Sequence, residues 1–251
     1  MSKDPLKQYF IDALERVKLY QKNDDLQETW QSFHKELVKA KYAYNFSWLG
    51  VPVLQAPQDL QAFQEIIWRI KPDLIIETGI AYGGSIIFSA SMLALLEMCG
   101  EIEKGEVLGI DIEIRPHNKE AILAHPMSSK ITMLEGSSID DSIIAKTREY
   151  AKVKKRIVVI LDSNHTHEHV LAELRAYAPL VSIGSYCVVG DTGIEDLPNG
   201  TISNRPWGKG NNPKTAVWEY LKENNNFEID KNIDTKLILT ASPDGYLKRI
   251  K

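Results

Sequence analysis

Asp73-Leu74-Ile75-Ile76-Glu77-Thr78-Gly79-Ile80-Ala81-Tyr82-Gly83-Gly84-Ser85 opens as a short apolar run, reaches an acid and breaks into a glycine-rich turn. An apolar run of this length bounded by glycines reads as a buried strand. Glycine at 79, 83 and 84 lets the backbone turn sharply and approach a ligand closely, which a Cβ would hinder. The acid, Glu77, then faces the crevice at the carboxyl edge of an open α/β sheet. A nucleoside-containing cofactor is the expected occupant.

Downstream, strand-like runs at 74–77, 107–111, 131–135, 157–162 and 186–189 alternate with helical stretches. A helix around 213–224 follows, then runs at 227–229 and 237–240, the turn signature Ser242-Pro243-Asp244-Gly245 and a short run at 245–250. This alternation predicts an α/β fold, Rossmann-like and doubly wound, with a mostly parallel seven-stranded sheet and a C-terminal antiparallel strand. Upstream, Leu6, Phe10, Leu14 and Val17, then Trp30, Phe33, Leu37 and Ala40, recur at helical spacing. Residues 1–50 are therefore expected to form an N-terminal helical appendage, either a cover for the core or a lid or oligomer contact. A Pro-containing connector at 50–57 leads to a helix at about 58–70, and residues 51–251 form the cofactor-binding domain.

At 251 residues and 43% hydrophobic, one domain can bury a good-sized core. Thirty basic against 34 acidic residues, with no long basic run, disfavour nucleic acid as a partner. Cys99 and Cys187 lack any paired spacing, which argues against a disulfide framework or thiolate zinc site. No apolar run approaches the roughly 18 residues needed to span a bilayer, and MSKDPLKQYF lacks a signal peptide's apolar core. A cytoplasmic protein that keeps away from membranes is expected.

The order of the turn glycines, GxxxGG, differs from the GxGxxG of a dinucleotide site. The next strand-terminal acid, Asp111, also lies farther on than the roughly 20 residues such a site uses. Glu77 would repel a pyrophosphate but attract the ammonium or sulfonium of S-adenosylmethionine. Asp111 is placed to accept from both ribose hydroxyls, its alternative being an ordinary helix N-cap. At the third strand end, Ser137 and Ser138 follow Gly136 where an adenine would lie.

Ile160-Leu161-Asp162-Ser163-Asn164-His165-Thr166-His167-Glu168-His169 sets three histidines just past a strand-terminal aspartate, and the next strand ends at Gly190-Asp191. Neighbouring parallel strands would bring Asp162 and Asp191 together, a pair that suits a hard divalent ion such as Mg²⁺. His165 is the expected general base, its unperturbed pKa near 6.5 matching that task. His169 is expected one helical turn beyond on the same face, in support at the substrate, whereas His167 is expected to cap or pack. The loop at 192–214 offers Trp207 to stack on a sugar face, with Arg205 and Lys209 for a phosphate or carboxylate.

These motifs, above all GVPVLQAPQDLQAFQEIIWRIKPDLIIETGIAYGGS and LDSNHTHEHVLAEL, resemble the cephalosporin hydroxylase family of class I S-adenosylmethionine-dependent methyltransferase-like proteins, from about Gly50 to the C-terminus. Relatives include macrolide sugar O-methyltransferases. The resemblance implies cofactor contacts at Glu77, Gly79, Tyr82, Ser85, Asp111 and Ser137, and metal binding at Asp162 and Asp191. Gly83 in the turn and Asp162 beside it join the expected cofactor set. Gly190 departs from the resemblance, which leads one to expect a Glu-Asp pair there. The expected function is O-methylation of a sugar or glycosylated metabolite by a homo-oligomer. Its rivals are a non-catalytic cofactor-binding partner and a nicotinamide-dependent oxidoreductase.

Overall fold

The computed structural model describes residues 4–20, 22–202 and 204–251. Helices α1 (Pro5–Tyr20) and α2 (Asp24–Lys39) open the chain. Asn23 caps α2 through the Leu26 amide, and Asp24 and Asp25 in the first turn complement the helix dipole. No residue of α1 is buried, and Leu6, Phe10 and Leu14 are all more than half exposed. The apolar stripe read from the sequence is thus present, but it faces outward.

A hairpin that the sequence reading did not anticipate, β1 (Phe46–Trp48) and β2 (Val51–Val53), precedes the main sheet. Its turn places Leu49 and Gly50 at φ of 46° and 86°, the primed geometry that matches strand twist. Leu49 in the first position hid that signal. Trp48 anchors the hairpin by donating to Ser91 Oγ at 2.9 Å and packing edge-on to Phe88.

The sheet helices and strands follow as α3 (Pro57–Ile70), β3 (Leu74–Thr78), α4 (Gly84–Met98), β4 (Glu106–Asp111), α5 (Pro116–Ala124) and β5 (Ile131–Glu135). Then come α6 (Asp141–Ala151), β6 (Ile157–Leu161), α7 (His167–Tyr177), β7 (Tyr186–Val189), α8 (Pro213–Glu223), β8 (Phe227–Ile229), α9 (Lys231–Leu237) and β9 (Tyr246–Arg249). Every residue of β3, β6 and β7 is buried, as expected of strands covered on both faces. One apolar layer packs α3 and α4 on one face of the sheet, and a second packs α6, α7 and α8 on the other.

Seven strands run in the order β5-β4-β3-β6-β7-β9-β8. The first five are parallel, and β9 is antiparallel to both neighbours. Successive connections diverge on either side of β3, so its carboxyl end and that of β6 form the switch point where such sheets bind ligands.

The strand expected at 237–240 is absent. Asp230 caps α9 through the Asn232 amide, and the helix ends at Ile238, whose φ is 58°. Buried Asp59 then holds the following segment by accepting from Thr240 Oγ1 and the Ala241 amide. These bonds take the segment out of any ladder, and the seventh strand is Tyr246–Arg249 instead.

Candidate functional site

The turn after β3 adopts left-handed backbone at Gly79, Ala81 and Gly83. A Cβ at Gly79 would meet the Asp162 backbone, with the Asp162 carbonyl carbon only 2.7 Å away, so only glycine fits where the ends of β3 and β6 touch. Asp111 Oδ2 accepts from the amides of Ile80 at 2.7 Å and Ala81 at 3.2 Å, and Oδ1 accepts from Glu113 N. Asp111 therefore braces the turn as well as ending its strand. Asn118, buried on α5, donates to the Ala81 carbonyl at 2.8 Å.

Glu77 is 2% exposed, and burial pushes its carboxyl up to about 7 against hydrogen bonds from Ser85 and Ser89. Its Oε2 is buried without a partner and borders a small cavity lined also by Gln55, Ser85, Ser89 and Ile160. Tyr82 lies exposed on the turn, and Ser137 is half-buried after Gly136. Glu77, Gly79, Asp111 and Ser137 thus lie at or just past the ends of β3, β4 and β5, and Asp162 follows β6.

A second cluster is built at the ends of β6 and β7. One ligand atom each from Asp162, His165 and Asp191 lies within 4.8 Å of the others. His165 Nδ1 stands 3.4 Å from Asp191 Oδ2. Asp191 takes a left-handed φ of 52°, a conformation that costs a non-glycine residue about 1–3 kcal/mol and that functional sites retain. Burial and the nearby Asp191 and Glu77 carboxylates raise the Asp162 carboxyl well above its ordinary range. Trp207 reaches this cluster from the loop after β7, edge-on to His165 at 4.9 Å, and the Arg205 guanidinium sits 5.2 Å from the Trp207 ring.

His169 lies elsewhere. Helix α7 starts only at His167, with Thr166 at its N-cap, so His165 sits in the preceding loop and shares no helical face with His169. The Nε2 of His169 pairs with Ser138 Oγ at 3.0 Å and Ser163 Oγ at 3.2 Å, next to buried Glu173. His167 bonds Thr215 Oγ1 at 2.8 Å and pairs with Glu219, which ties α7 to α8 as the packing reading expected. Lys209 is exposed.

The sequence reading passed over two residues. Gln55, between β2 and α3, donates from Nε2 to Asp162 Oδ2 at 2.8 Å. His34 on α2 lies against Gly193, where an added Cβ would come 3.4 Å from its Cε1, and burial lowers its pKa. Neither carries a periodicity that would reveal its place.

A seven-stranded sheet of this order, with acids closing β3, β4, β6 and β7, is a class I methyltransferase-like architecture. The chain belongs to the Rhamnosyl O-methyltransferase/CmcI family, whose pattern matches residues 40–250, and it is an O-methyltransferase. It is 30% identical over 233 residues to the rhamnosyl O-methyltransferase of Mycobacterium tuberculosis, across 92% of this chain and 87% of that one. Identity to its Mycobacterium leprae counterpart is 27% over 234 residues, covering 92% and 93%. In fold, the chain is similar to the apo structure of CmcI, with a TM-score of 0.55, 18% identity and coverage of 83% and 77%. An O-methyltransferase from Bacillus cereus in complex with SAH matches at 0.50 with 13% identity, covering 82% of each chain.

Proposed function

We propose that the protein methylates a hydroxyl of a sugar or glycosylated metabolite, using S-adenosylmethionine and assisted by a divalent metal and a histidine base. The gathering of Asp162, His165 and Asp191 beside the glycine turn carries this reading. Family kinship to rhamnosyl O-methyltransferases supports a saccharide acceptor.

The residues present fit both absent groups. Glu77 offers a buried, unpartnered carboxyl oxygen beside a turn that only glycine can form, which suits a cationic cofactor. Glu77, Gly79, Tyr82, Gly83, Ser85, Asp111, Ser137 and Asp162 would hold S-adenosylmethionine, which supplies an electrophilic methyl group. Asp162 and Asp191 offer the oxygen-rich set that Mg²⁺ prefers, and a cation there would relieve the crowding of their charges. The ion would orient the acceptor hydroxyls and lower their pKa.

His165 is held by Asp191 through Nδ1, and its Nε2 takes up the proton that the acceptor hydroxyl gives up. Trp207 presents an aromatic face to the sugar, and Arg205 adds a cation at the mouth. We assign no acceptor contact to His169, whose ring is engaged by Ser138 and Ser163.

We also read residues 1–50 as an appendage that joins copies of the chain, because Leu6, Tyr9, Phe10 and Leu14 expose an apolar face on α1. Among the described residues, no helix is long and apolar enough to cross a membrane.

The test incubates the purified protein with S-adenosylmethionine, Mg²⁺ and a panel of deoxysugar glycosides, and measures S-adenosylhomocysteine and methylated product. Turnover that EDTA removes and Mg²⁺ restores is expected. Cofactor binding without methylation of any hydroxylated acceptor would sink the catalytic reading.

A further inference from the structure

We infer that Gln55 is a positioning residue that fixes the Asp162 carboxyl, and that Gly190 supplies the space in which this orientation becomes possible. The inference rests on the metal-assisted reading above and extends it to two residues outside the proposed ligand set.

Four contacts define the arrangement. The Asp162 amide donates to the Thr78 carbonyl at 3.0 Å, which pins the base of the side chain to β3. At its tip, Oδ2 accepts from Gln55 Nε2 at 2.8 Å, leaving Oδ1 as the other oxygen available to an ion. That oxygen lies against Gly190: an added Cβ there would fall 2.7 Å from Asp162 Cγ and closer still to Oδ1. Real Cβ atoms essentially never come so near, so one of the two groups would have to move. Gly190 itself is anchored by donating its amide to the Leu161 carbonyl at 2.8 Å.

Gln55 also lines the small cavity that borders Glu77, so one amide side chain stands by the carboxyls of both the cofactor side and the acceptor side. The glycine where a Glu-Asp pair was expected is therefore more than a lost ligand. A glutamate at 190 and Asp162 in its present orientation exclude each other sterically. The chain keeps the Asp162 orientation and fixes it from the far side with Gln55. Outer partners that orient a ligating carboxylate in this way commonly change metal affinity by about 10–100-fold when removed.

The test reads Mn²⁺ binding to the full-length protein by electron paramagnetic resonance, with the Mn²⁺-induced rise in melting temperature as a second readout. Gln55→Leu keeps an apolar stem of similar length and removes the donor, and it is expected to weaken Mn²⁺ binding about tenfold or more. Gly190→Ala leaves Gln55 intact and is expected to cause a comparable loss by displacing Asp162. If Gln55→Leu does not fold, Gly190→Ala decides alone. Wild-type affinity in either folded variant overturns the inference while leaving the metal reading in place. A wild-type protein that binds no Mn²⁺ overturns the metal reading and this inference with it.

Discussion

The Nδ1 of His165 lies 3.4 Å from Asp191 Oδ2, beside the strand end that also supplies the second acid of the cluster. In the proposed mechanism Nε2 is the nitrogen that takes the acceptor's proton. His165→Ala is expected to lower kcat by about 10²–10⁴-fold, the range typical of a lost general base. Cofactor affinity measured by calorimetry should stay near the wild-type value. A kcat within a few-fold of wild type would remove His165 from the chemistry.

Trp207 packs edge-on against His165 at 4.9 Å and belongs to the loop after β7 rather than to the sheet. Truncation to alanine should raise the KM for the acceptor by roughly tenfold, the scale of one aromatic contact, with the KM for S-adenosylmethionine unchanged. A parallel rise in both constants would place Trp207 on the cofactor side instead.

Ala81 holds a left-handed φ of 46° between two glycines. That region costs an L-residue roughly 1–2 kcal/mol, and glycine forfeits about 0.4–1 kcal/mol through the freedom of its unfolded chain. Ala81→Gly should therefore stabilise the protein by up to about 1 kcal/mol in urea unfolding. The bond from the Asn118 side chain should survive, because it uses only the backbone carbonyl of residue 81. A clear loss of stability would show that the alanine methyl makes a packing contribution larger than the strain.

Asp234, on α9 and outside the proposed site residues, provides a pH signature. Burial pushes its carboxyl up to about 7, although its Oδ2 accepts the Asp244 amide. A group that holds its proton more tightly when folded contributes stability in full below the ordinary carboxyl range near 3.8, and that contribution is lost as pH rises through 7. Asp234→Asn carries no charge, so its stability relative to wild type should rise between about pH 5 and pH 8 in urea titrations. A relative fall over that window would reverse the sign of the argument.

Leu74 to Ser85 already contained the order of acid and glycines, and alternating apolar runs gave the five parallel strands, because buried strands and tight turns leave local signatures. Leu237 to Thr240 misled for a physical reason: the run is apolar enough for a strand, yet buried Asp59, distant in sequence, captures Thr240 and Ala241. The same limit hid Gln55. Its role exists only where the connector meets the end of β6, and no spacing within GVPVLQAP encodes that meeting. The expectation that His169 shares a helical face with His165 fails because α7 begins after His165, which leaves that residue in the loop with no helical register to share.

The near-contact of Gly79 with the Asp162 backbone has a consequence for alignment. Main chain braces the ends of β3 and β6 through Asp162 N on the Thr78 carbonyl, and ties the turn to β4 through Gly79 N on the Ile110 carbonyl. The separation between the glycine turn and the Asp162 main chain is in that case a fixed dimension of the sheet, set when the chain folds. A side chain added at Gly79 should therefore disturb the end of β6 as well as the turn, whereas side-chain truncations at His165 or Trp207 leave this main-chain brace intact.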